Sequence, residues 1–148
     1  MKITSPAFAH NGKIPMKYTC DGQGISPPLT FTEIPPEAAS LVLICDDPDA
    51  PGKIFVDWTA WNVDPKTTQI DEGQKFEGVV EGQTSFGKSG YGSPCPPSGT
   101  HRYFFKLYAL DKSLDLSPQG TKMQLEQAME NHILDQSELI GLYSREKR

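Results

Sequence analysis

The sequence has no basic excess, no leading apolar run and no pair of closely spaced cysteines. The N-terminal residues, Met1 to Pro6, begin no apolar stretch long enough for a signal peptide or a membrane-spanning helix. We therefore expect a cytoplasmic protein without stable membrane insertion. Against 19 Asp and Glu there are only 14 Lys and Arg, a net charge of −5. Such a balance excludes nucleic acid and anionic membrane surfaces as expected partners, since both require a basic patch.

The cysteines are few and scattered. Cys20, Cys45 and Cys95 are odd in number and far apart, without the paired spacing of a zinc site or a redox motif. We expect reduced thiols, although the sequence leaves a Cys20–Cys95 bridge open. The sequence indicates neither a metal site nor a cofactor site.

The chain has 148 residues, enough for one domain, 1–148, with a hydrophobic core. Alternation and apolar runs predict many short strands, bounded by Gly and Pro. A capping box at Thr121 and Gln124 predicts one helix that runs through Leu134. We expect a mainly β fold, an antiparallel Greek-key-like β-sandwich with one C-terminal helix. The strand candidates are 3–8, 18–20, 29–32, 41–45, 55–63, 76–80, 101–110 and 139–143.

Two of these strands are predicted to lie inside the sheet. Residues 41–45 are apolar on both faces, which is typical of a central strand. In 55–63, period-two alternation places Phe55 and Asp57 on one face and Val56 and Trp58 on the other. A buried Asp57 requires either a bonding partner or a polar cavity, because an unpaired buried carboxylate is costly.

A proline-rich loop leads into the strand that begins near His101. The same alternation places His101 on the face of Tyr103 and Phe105, at the mouth of an apolar row. This position favours a histidine that floors a pocket. The alternative is a histidine at the edge of the core, bonded to a carbonyl oxygen.

Three further patterns are weaker evidence for a chemical function. Residues 82–89 match the letters of a phosphate-binding P-loop, but the glycines and prolines that follow cannot form the required helix. The cluster Asp46-Asp47-Pro48-Asp49 suits either a hard cation or a turn, and it lacks the rest of a calcium loop. No Gly-x-Ser-x-Gly elbow is present, and Cys95 lies between two prolines. An Asp47–His101 acid–base pair is the remaining catalytic candidate.

Several of these segments together resemble the phosphatidylethanolamine-binding protein family, in its short bacterial and archaeal branch related to the Raf kinase inhibitor protein. They are Asp46 to Pro51, Trp61-Asn62-Val63 and Gly92 to Tyr103, with Cys20-Asp21-Gly22 and the helix from Lys122. The resemblance implies a β-sandwich with a small pocket for phosphate, acetate or a phosphoethanolamine headgroup, without a cofactor. It implies a pocket lined by Asp47, Asp57, Cys95, Pro96, His101 and Tyr103, with Asp49 and Pro51 as supports of the first loop.

The sequence departs from the family pattern at Asp57, where the family usually has a histidine. A second acid near Asp47 should raise the pKa of one of the two carboxyl groups. We therefore expect weaker phosphate binding than is usual in the family. The pocket would instead prefer an ammonium group, a zwitterion or a neutral ligand that shares a proton.

The expected function is small-ligand binding, acting by occupancy or by inhibition of a kinase or protease partner, as a monomer or homodimer. One alternative is a hydrolase that uses Asp47 and His101 as acid and base. Another is a module that recognises a phosphorylated side chain on a protein partner.

Overall fold

The computed structural model describes residues 1–74 and 78–145. Nine strands and one α-helix are found in this part of the chain, together with a short 3-10 helix at Met16–Tyr18. None of the described helices is long and apolar enough to span a membrane. The strands are β1 (Lys2–Thr4), β2 (Gly12–Lys13), β3 (Leu29–Thr32), β4 (Ser40–Asp47), β5 (Phe55–Val63), β6 (Gln69–Ile70), β7 (Val80–Glu81), β8 (His101–Leu110) and β9 (Ile133–Tyr143), and the helix is α1 (Lys122–Met129).

The strands form two sheets that share one core, which confirms the predicted mainly β sandwich. The smaller sheet has the order β1-β3-β6 and the larger one β2-β9-β8-β4-β5-β7. All described strand pairs are antiparallel except β2 with β9. Side chains from both sheets, including Ile3, Phe31 and Phe105, meet in the main apolar cluster. Burial of such a side chain contributes about 2 kcal/mol.

Strand β4 is the interior strand that its apolar run predicted. Every residue from Ser40 to Asp47 is buried, and the strand lies between β8 and β5. Leu41 and Leu43 belong to the main cluster. Val42 and Ile44 belong to a second cluster on the other face, which includes helix residues. Both faces are therefore covered, and the strand holds its ends in place for the loops that follow.

The predicted helix is correct at its start and too long at its end. Its capping box is formed, with Thr121 and Gln124 each bonding the other's backbone. The helix stops at Met129, because Asn131 takes a left-handed conformation with φ of 67°. Asn is, after Gly, the residue that most readily ends a helix in this way. Ile133 and Leu134, which continued the helical spacing, are instead half-exposed residues of β9.

Other element boundaries also changed. The strand predicted at 3–8 is limited to Lys2–Thr4, because Pro6 cannot donate to a ladder. Tyr18 belongs to the 3-10 helix rather than to a strand. The strand predicted at 139–143 is the end of the longer β9, which pairs with β8 along its whole length. Of the candidate at 76–80, residues 76 and 77 lie outside the described residues, and β7 begins at Val80.

Candidate functional site

A cavity of about 250 Å³ opens where β4, β5 and β8 meet the proline-rich loop. The six side chains predicted to bind ligand all line it, and so does Pro51, which was predicted as a support. Asp49 lies outside the lining. Sequence reasoning missed the contributions of Lys53, Phe55 and Phe86. The lining residues are Asp47, Ala50, Pro51, Lys53, Phe55, Asp57, Phe86, Cys95, Pro96, Pro97, His101 and Tyr103.

His101 is bound to Asp47 at the floor of this cavity. Its Nδ1 lies 2.6 Å from Oδ2 of Asp47, and both side chains are buried. An ionised carboxylate only accepts, so the hydrogen is on Nδ1 and the nitrogen left for a ligand is Nε2. The ring also stacks on Tyr103, with centroids 6.4 Å apart. The alternative of a core-edge histidine bonded to a carbonyl oxygen is therefore wrong.

Asp47 also holds the loop that follows β4. Its Oδ1 accepts the backbone N–H of Asp49 at 2.8 Å, which is the local bond by which aspartates begin turns. One carboxylate thus bonds the loop through one oxygen and the imidazole of His101 through the other. Asp47 therefore both begins the turn predicted for this cluster and lines the cavity.

Each of the three clustered acids bonds different partners: His101 for Asp47, two lysines for Asp46 and an arginine for Asp49. Asp46 bonds Lys106 at 3.1 Å and Lys122 at 3.5 Å. Asp49 accepts two bonds from the guanidinium of Arg102, each at 2.9 Å, and one from its backbone. The side-chain bonds of Arg102 lower the pKa of Asp49 to about 2. Within residues 1–74 and 78–145, no group of three or more potential metal ligands is found.

Asp57 reaches the cavity because β5 contains a bulge. Cys45 pairs with Trp58 but Asp46 pairs with Val56, so Asp57 has no partner of its own on β4. The predicted alternation holds for Phe55 and Asp57, which both line the cavity. It is wrong for Val56 and Trp58, which pair with the adjacent β4 residues Asp46 and Cys45 and therefore point to opposite faces. Bulges re-aim side chains in this way and are common beside functional sites.

The carboxyl group of Asp57 is only 1% exposed. Its Oδ1 has no hydrogen-bond partner in the part of the chain that the structure describes. Burial, followed by the charges of Asp47 and Asp46, raises its pKa to about 8. The rise expected from the sequence is confirmed, although burial contributes more to it than the neighbouring acids do.

Tyr103 and two phenylalanines complete the walls. Burial, more than the nearby acids, raises the pKa of Tyr103, so its hydroxyl stays a donor. The rings of Phe55 and Phe86 meet edge to face, with centroids 4.8 Å apart. A Cβ atom at Gly92 would come within 2.2 Å of the Phe86 ring. The absence of a side chain at this glycine allows the aromatic wall to close.

Phe86 lies in the stretch whose letters resemble a P-loop. That stretch begins after β7 and is closed on itself by the Gln83–Ser89 bridge and the bond from Thr84 N to Lys88 O. No described helix begins at Ser89, so the helix N-terminus that a P-loop places at the phosphates is missing there. The interpretation of this motif as a chance match is confirmed.

Cys20 and Cys95 form a disulfide, so the expectation of reduced thiols is wrong for this pair. The Cα atoms are 5.4 Å apart, and Cys20 N also donates to Pro94 O at 3.1 Å. The bond ties the cavity wall to the loop after the 3-10 helix. A contact between residues 75 positions apart depends on tertiary structure, which the spacing of the cysteines does not reveal. Cys45 is free and buried.

A larger depression, of about 470 Å³, lies on the other face of β4 and β8. Asp46, Phe104, Lys106 and Glu138 are among its lining residues. It contains none of the residues that the sequence predicted for a binding site.

Comparison with known proteins places these features in one family. The family model described as phosphatidylethanolamine-binding protein matches residues 4–144. A UPF0098 protein of Methanothermobacter thermautotrophicus is 50% identical over 150 residues, covering 98% of this chain and 99% of the relative. Another UPF0098 protein, from Chlamydia pneumoniae, is 46% identical over 150 residues, covering 98% of this chain and 99% of its own.

Two crystal structures have nearly the same fold. One, from Chlamydia trachomatis, is described as a homologue of phosphatidylethanolamine-binding protein; it is 43% identical with a TM-score of 0.95, over 98% of this chain and 97% of that one. The other, Escherichia coli YbcL, is described as a member of the mammalian family; it is 25% identical with a TM-score of 0.90, over 98% of each chain. The chain therefore belongs to the phosphatidylethanolamine-binding protein family, in its bacterial and archaeal branch.

Proposed function

We propose that this chain is a binding protein for a small ligand with an anionic or zwitterionic head, such as a phosphoethanolamine headgroup. The observation that carries the proposal is the Asp47–His101 pair, with an Nδ1–Oδ2 distance of 2.6 Å, at the floor of a cavity of about 250 Å³. Small-ligand sites are concave and largely apolar, with a few polar groups that orient the ligand. This cavity has that composition.

In the proposed complex, the ligand head meets His101 and Tyr103. The imidazole is oriented by Asp47 and presents Nε2, while the Tyr103 hydroxyl, which is also within reach of the Asp47 carboxylate, is the second polar group beside the ligand head. Cys95 and Pro96 form the adjoining wall, which the Cys20 disulfide holds in place. A wall already fixed before binding lowers the cost of ordering it around a ligand.

Inhibition of a kinase or protease is the proposed consequence for a protein partner. The cavity lies at loop-bearing ends of strands, where the ligand and the loops together can form a docking surface. A partner captured by the wild type should be lost when Asp47 and His101 are both substituted. Capture that survives the double substitution would separate the partner from the pocket.

A hydrolase is the second candidate, because the Asp47–His101 pair has the geometry of an acid–base pair. The described lining contains neither Ser nor Thr, and its one cysteine is in a disulfide. A hydrolase would therefore have to use water directly. Turnover by the wild type on a panel of phosphate esters and carboxylic esters, lost in His101→Ala, would establish this activity in place of simple binding.

Recognition of a phosphorylated side chain uses the same contacts with a macromolecular ligand. It predicts that a phosphopeptide binds more tightly than free phosphate, since the residues that flank the phosphate add contacts. Equal affinity for the two would favour the small-ligand function.

The direct test of the proposed function is titration calorimetry with phosphoethanolamine, acetate and phosphate at pH 7. We expect the wild type to bind at least one of the three probes, and His101→Ala to lose at least tenfold in affinity for that probe. His132→Ala is a matched control, because His132 also bonds an aspartate through Nδ1, at 2.9 Å from Asp111, but far from the cavity lining. Absence of binding by all three probes, or equal loss in both variants, would contradict the proposal.

A cytoplasmic location and a monomeric or dimeric state stay predictions. The Cys20–Cys95 disulfide is more typical of oxidising compartments, with intracellular proteins of hyperthermophiles as an exception. Cell fractionation and light scattering test these two points.

A further inference from the structure

Asp57 is the acid in the cavity that the Asp47–His101 pair leaves unused. The bulge between Cys45 and Asp46 turns its side chain into the cavity, although β-strand alternation would place it opposite Trp58. Its Oδ1 is fully buried without a hydrogen-bond partner among the described residues. Buried polar atoms are nearly always bonded, and an exception beside a cavity indicates a group that bonds a ligand.

The groups that face Asp57 do not supply a counter-charge. Asp46 and Asp47 both act against its ionised form.

The cationic groups nearby are engaged elsewhere. Lys106 and Lys122 bond Asp46, and His101 bonds Asp47. The side chain of Lys53 lines the cavity but is exposed to solvent, where its charge is strongly screened. The Asp57 charge in turn contributes to the raised pKa values of three neutral groups nearby, Cys45, Tyr91 and Tyr103.

These surroundings determine the protonation state. With a pKa of about 8, the Asp57 carboxyl group is mostly protonated at pH 7. A protonated carboxyl is both a donor, through one O–H, and an acceptor. The expected excess negative charge at this position is therefore largely absent at neutral pH.

We propose that Asp57 selects the ligand of this cavity by donating its one carboxyl hydrogen to an acceptor oxygen of the bound molecule. This inference rests on the proposed function and adds the ligand class. A singly charged carboxylate or a neutral carbonyl head fits the donor. A phosphate dianion does not, because the Asp47–His101 pair is at most neutral and Lys53, the other cation in the described lining, is exposed to solvent.

The walls agree with a carboxylate or carbonyl compound that has a short apolar part. Phe55, Phe86 and Pro96 offer apolar surface on the sides of the cavity. The volume of about 250 Å³ admits a body of only a few carbon atoms beside the head. Acetate is therefore the minimal probe of the head, and phosphate is the probe of a more highly charged one.

The experiment is a calorimetric titration of the wild type and of Asp57→Asn with acetate and with phosphate. It is repeated in assay buffers from about pH 6 to about pH 9.5. Acetate affinity of the wild type should fall about tenfold for each pH unit above about 8, because only the protonated acid donates. Asp57→Asn keeps a donor and an acceptor at every pH, so its profile should be flat in that range. A flat wild-type profile would overturn the inference.

Two further comparisons sharpen the test. Asp57→His places a potential cation in the cavity and should raise phosphate affinity at pH 7 at least tenfold, whereas Asp111→Asn, outside the cavity, should leave it unchanged. Phosphate binding by the wild type at a dissociation constant of about 1 mM or tighter at pH 7 would overturn the ligand assignment. A preference for tetramethylammonium over acetate, with tetramethylammonium affinity that increases above about pH 8, would also overturn the ligand assignment.

A measurement without ligand separates this inference from the proposed function. Carbon-13 NMR of the Asp57 carboxyl in the wild-type protein should give a titration midpoint near the pKa of about 8. A midpoint near the ordinary value of 3.8 would overturn the protonated donor even if acetate binds. Conversely, a high midpoint with no binding of any probe would sink the proposed function and with it the assigned ligand class.

Discussion

Asp47 and His101 bond each other across 54 positions of sequence, with 2.6 Å between Oδ2 and Nδ1. The two residues come from the end of β4 and the start of β8, neighbouring strands in the centre of the larger sheet. Asp46, next in sequence to Asp47, bonds Lys106 and Lys122 on the opposite face. The alternation of one strand thus separates an acid that braces the fold from an acid that orients the site.

Asp47→Asn should weaken both the site and the loop after β4. The asparagine amide has one acceptor oxygen in place of two, and it lacks the charge that orients His101. It therefore cannot accept both the Asp49 backbone N–H and the His101 Nδ1–H as the carboxylate does. We expect a loss of about 1–3 kcal/mol in the free energy of unfolding and at least a tenfold loss in ligand affinity. Chemical denaturation and calorimetry measure the two effects.

Asp111→Asn is the control for this change, because the Asp111 carboxylate bonds Nδ1 of His132 on the surface, as Asp47 bonds Nδ1 of His101 in the cavity. Its effect on unfolding should stay below about 1 kcal/mol, as is usual for exposed pairs. Equal effects of the two substitutions on affinity would show that Asp47 has no special role.

The raised pKa of Asp57 predicts a stability that falls with pH. The folded protein keeps a proton up to about pH 8 that the unfolded chain releases near its ordinary pKa of 3.8. Between these values the free energy of unfolding should decline by at most about 1.4 kcal/mol per pH unit, and above about pH 8 this group adds no further decline. Asp57→Asn removes the slope, so denaturation curves of the two proteins should diverge from pH 4 to 8. Parallel curves would refute the raised pKa.

Removal of the disulfide should destabilise the protein and loosen the cavity wall. Closure of a loop by residues 75 positions apart contributes about 4.5 kcal/mol by the chain-entropy model. Cys20→Ser with Cys95→Ser should therefore lower the melting temperature and weaken ligand binding. A reducing agent should lower the melting temperature of the wild type but leave that of the double variant unchanged. If reduction affects both proteins equally, the bond is not the cause.

Gly92→Ala should disturb the aromatic wall. The added Cβ atom would meet the Phe86 ring at 2.2 Å, so the ring must leave its edge-to-face contact with Phe55. We expect a cost of about 1–3 kcal/mol in the free energy of unfolding. In Phe86→Ala the same glycine substitution should cost much less, and a double-mutant cycle measures the difference. Additive effects would mean that the ring does not restrict Gly92.

Much of the fold could be predicted because local pattern and tertiary structure agree. The apolar run of β4 and the alternation of β8 are each satisfied by the sheet that contains them. The helix end was missed because Ile133 continues the helical spacing, while Asn131 alone signals the stop. The left-handed residue ends the helix despite the apolar spacing, because the residues that follow it form β9, which pairs with β8.

The site could be predicted only in part from the residues themselves. Alternation placed His101 and Tyr103 on the cavity face, and the family resemblance placed Asp47 with them. The bulge at Asp57 breaks a period-two pattern and has no signature in composition. Phe86 comes from a glycine-rich loop without periodicity, and the disulfide depends on which loops meet in space.

The most direct test of the central claim is nitrogen-15 NMR of the histidine side chains during titration with acetate or phosphoethanolamine. If the cavity is a ligand site floored by His101, the Nε2 resonance of His101 shifts and saturates with the binding curve, while that of surface-exposed His132 does not. Saturating binding that leaves the His101 resonance unchanged, or that shifts both histidines equally, would contradict the account.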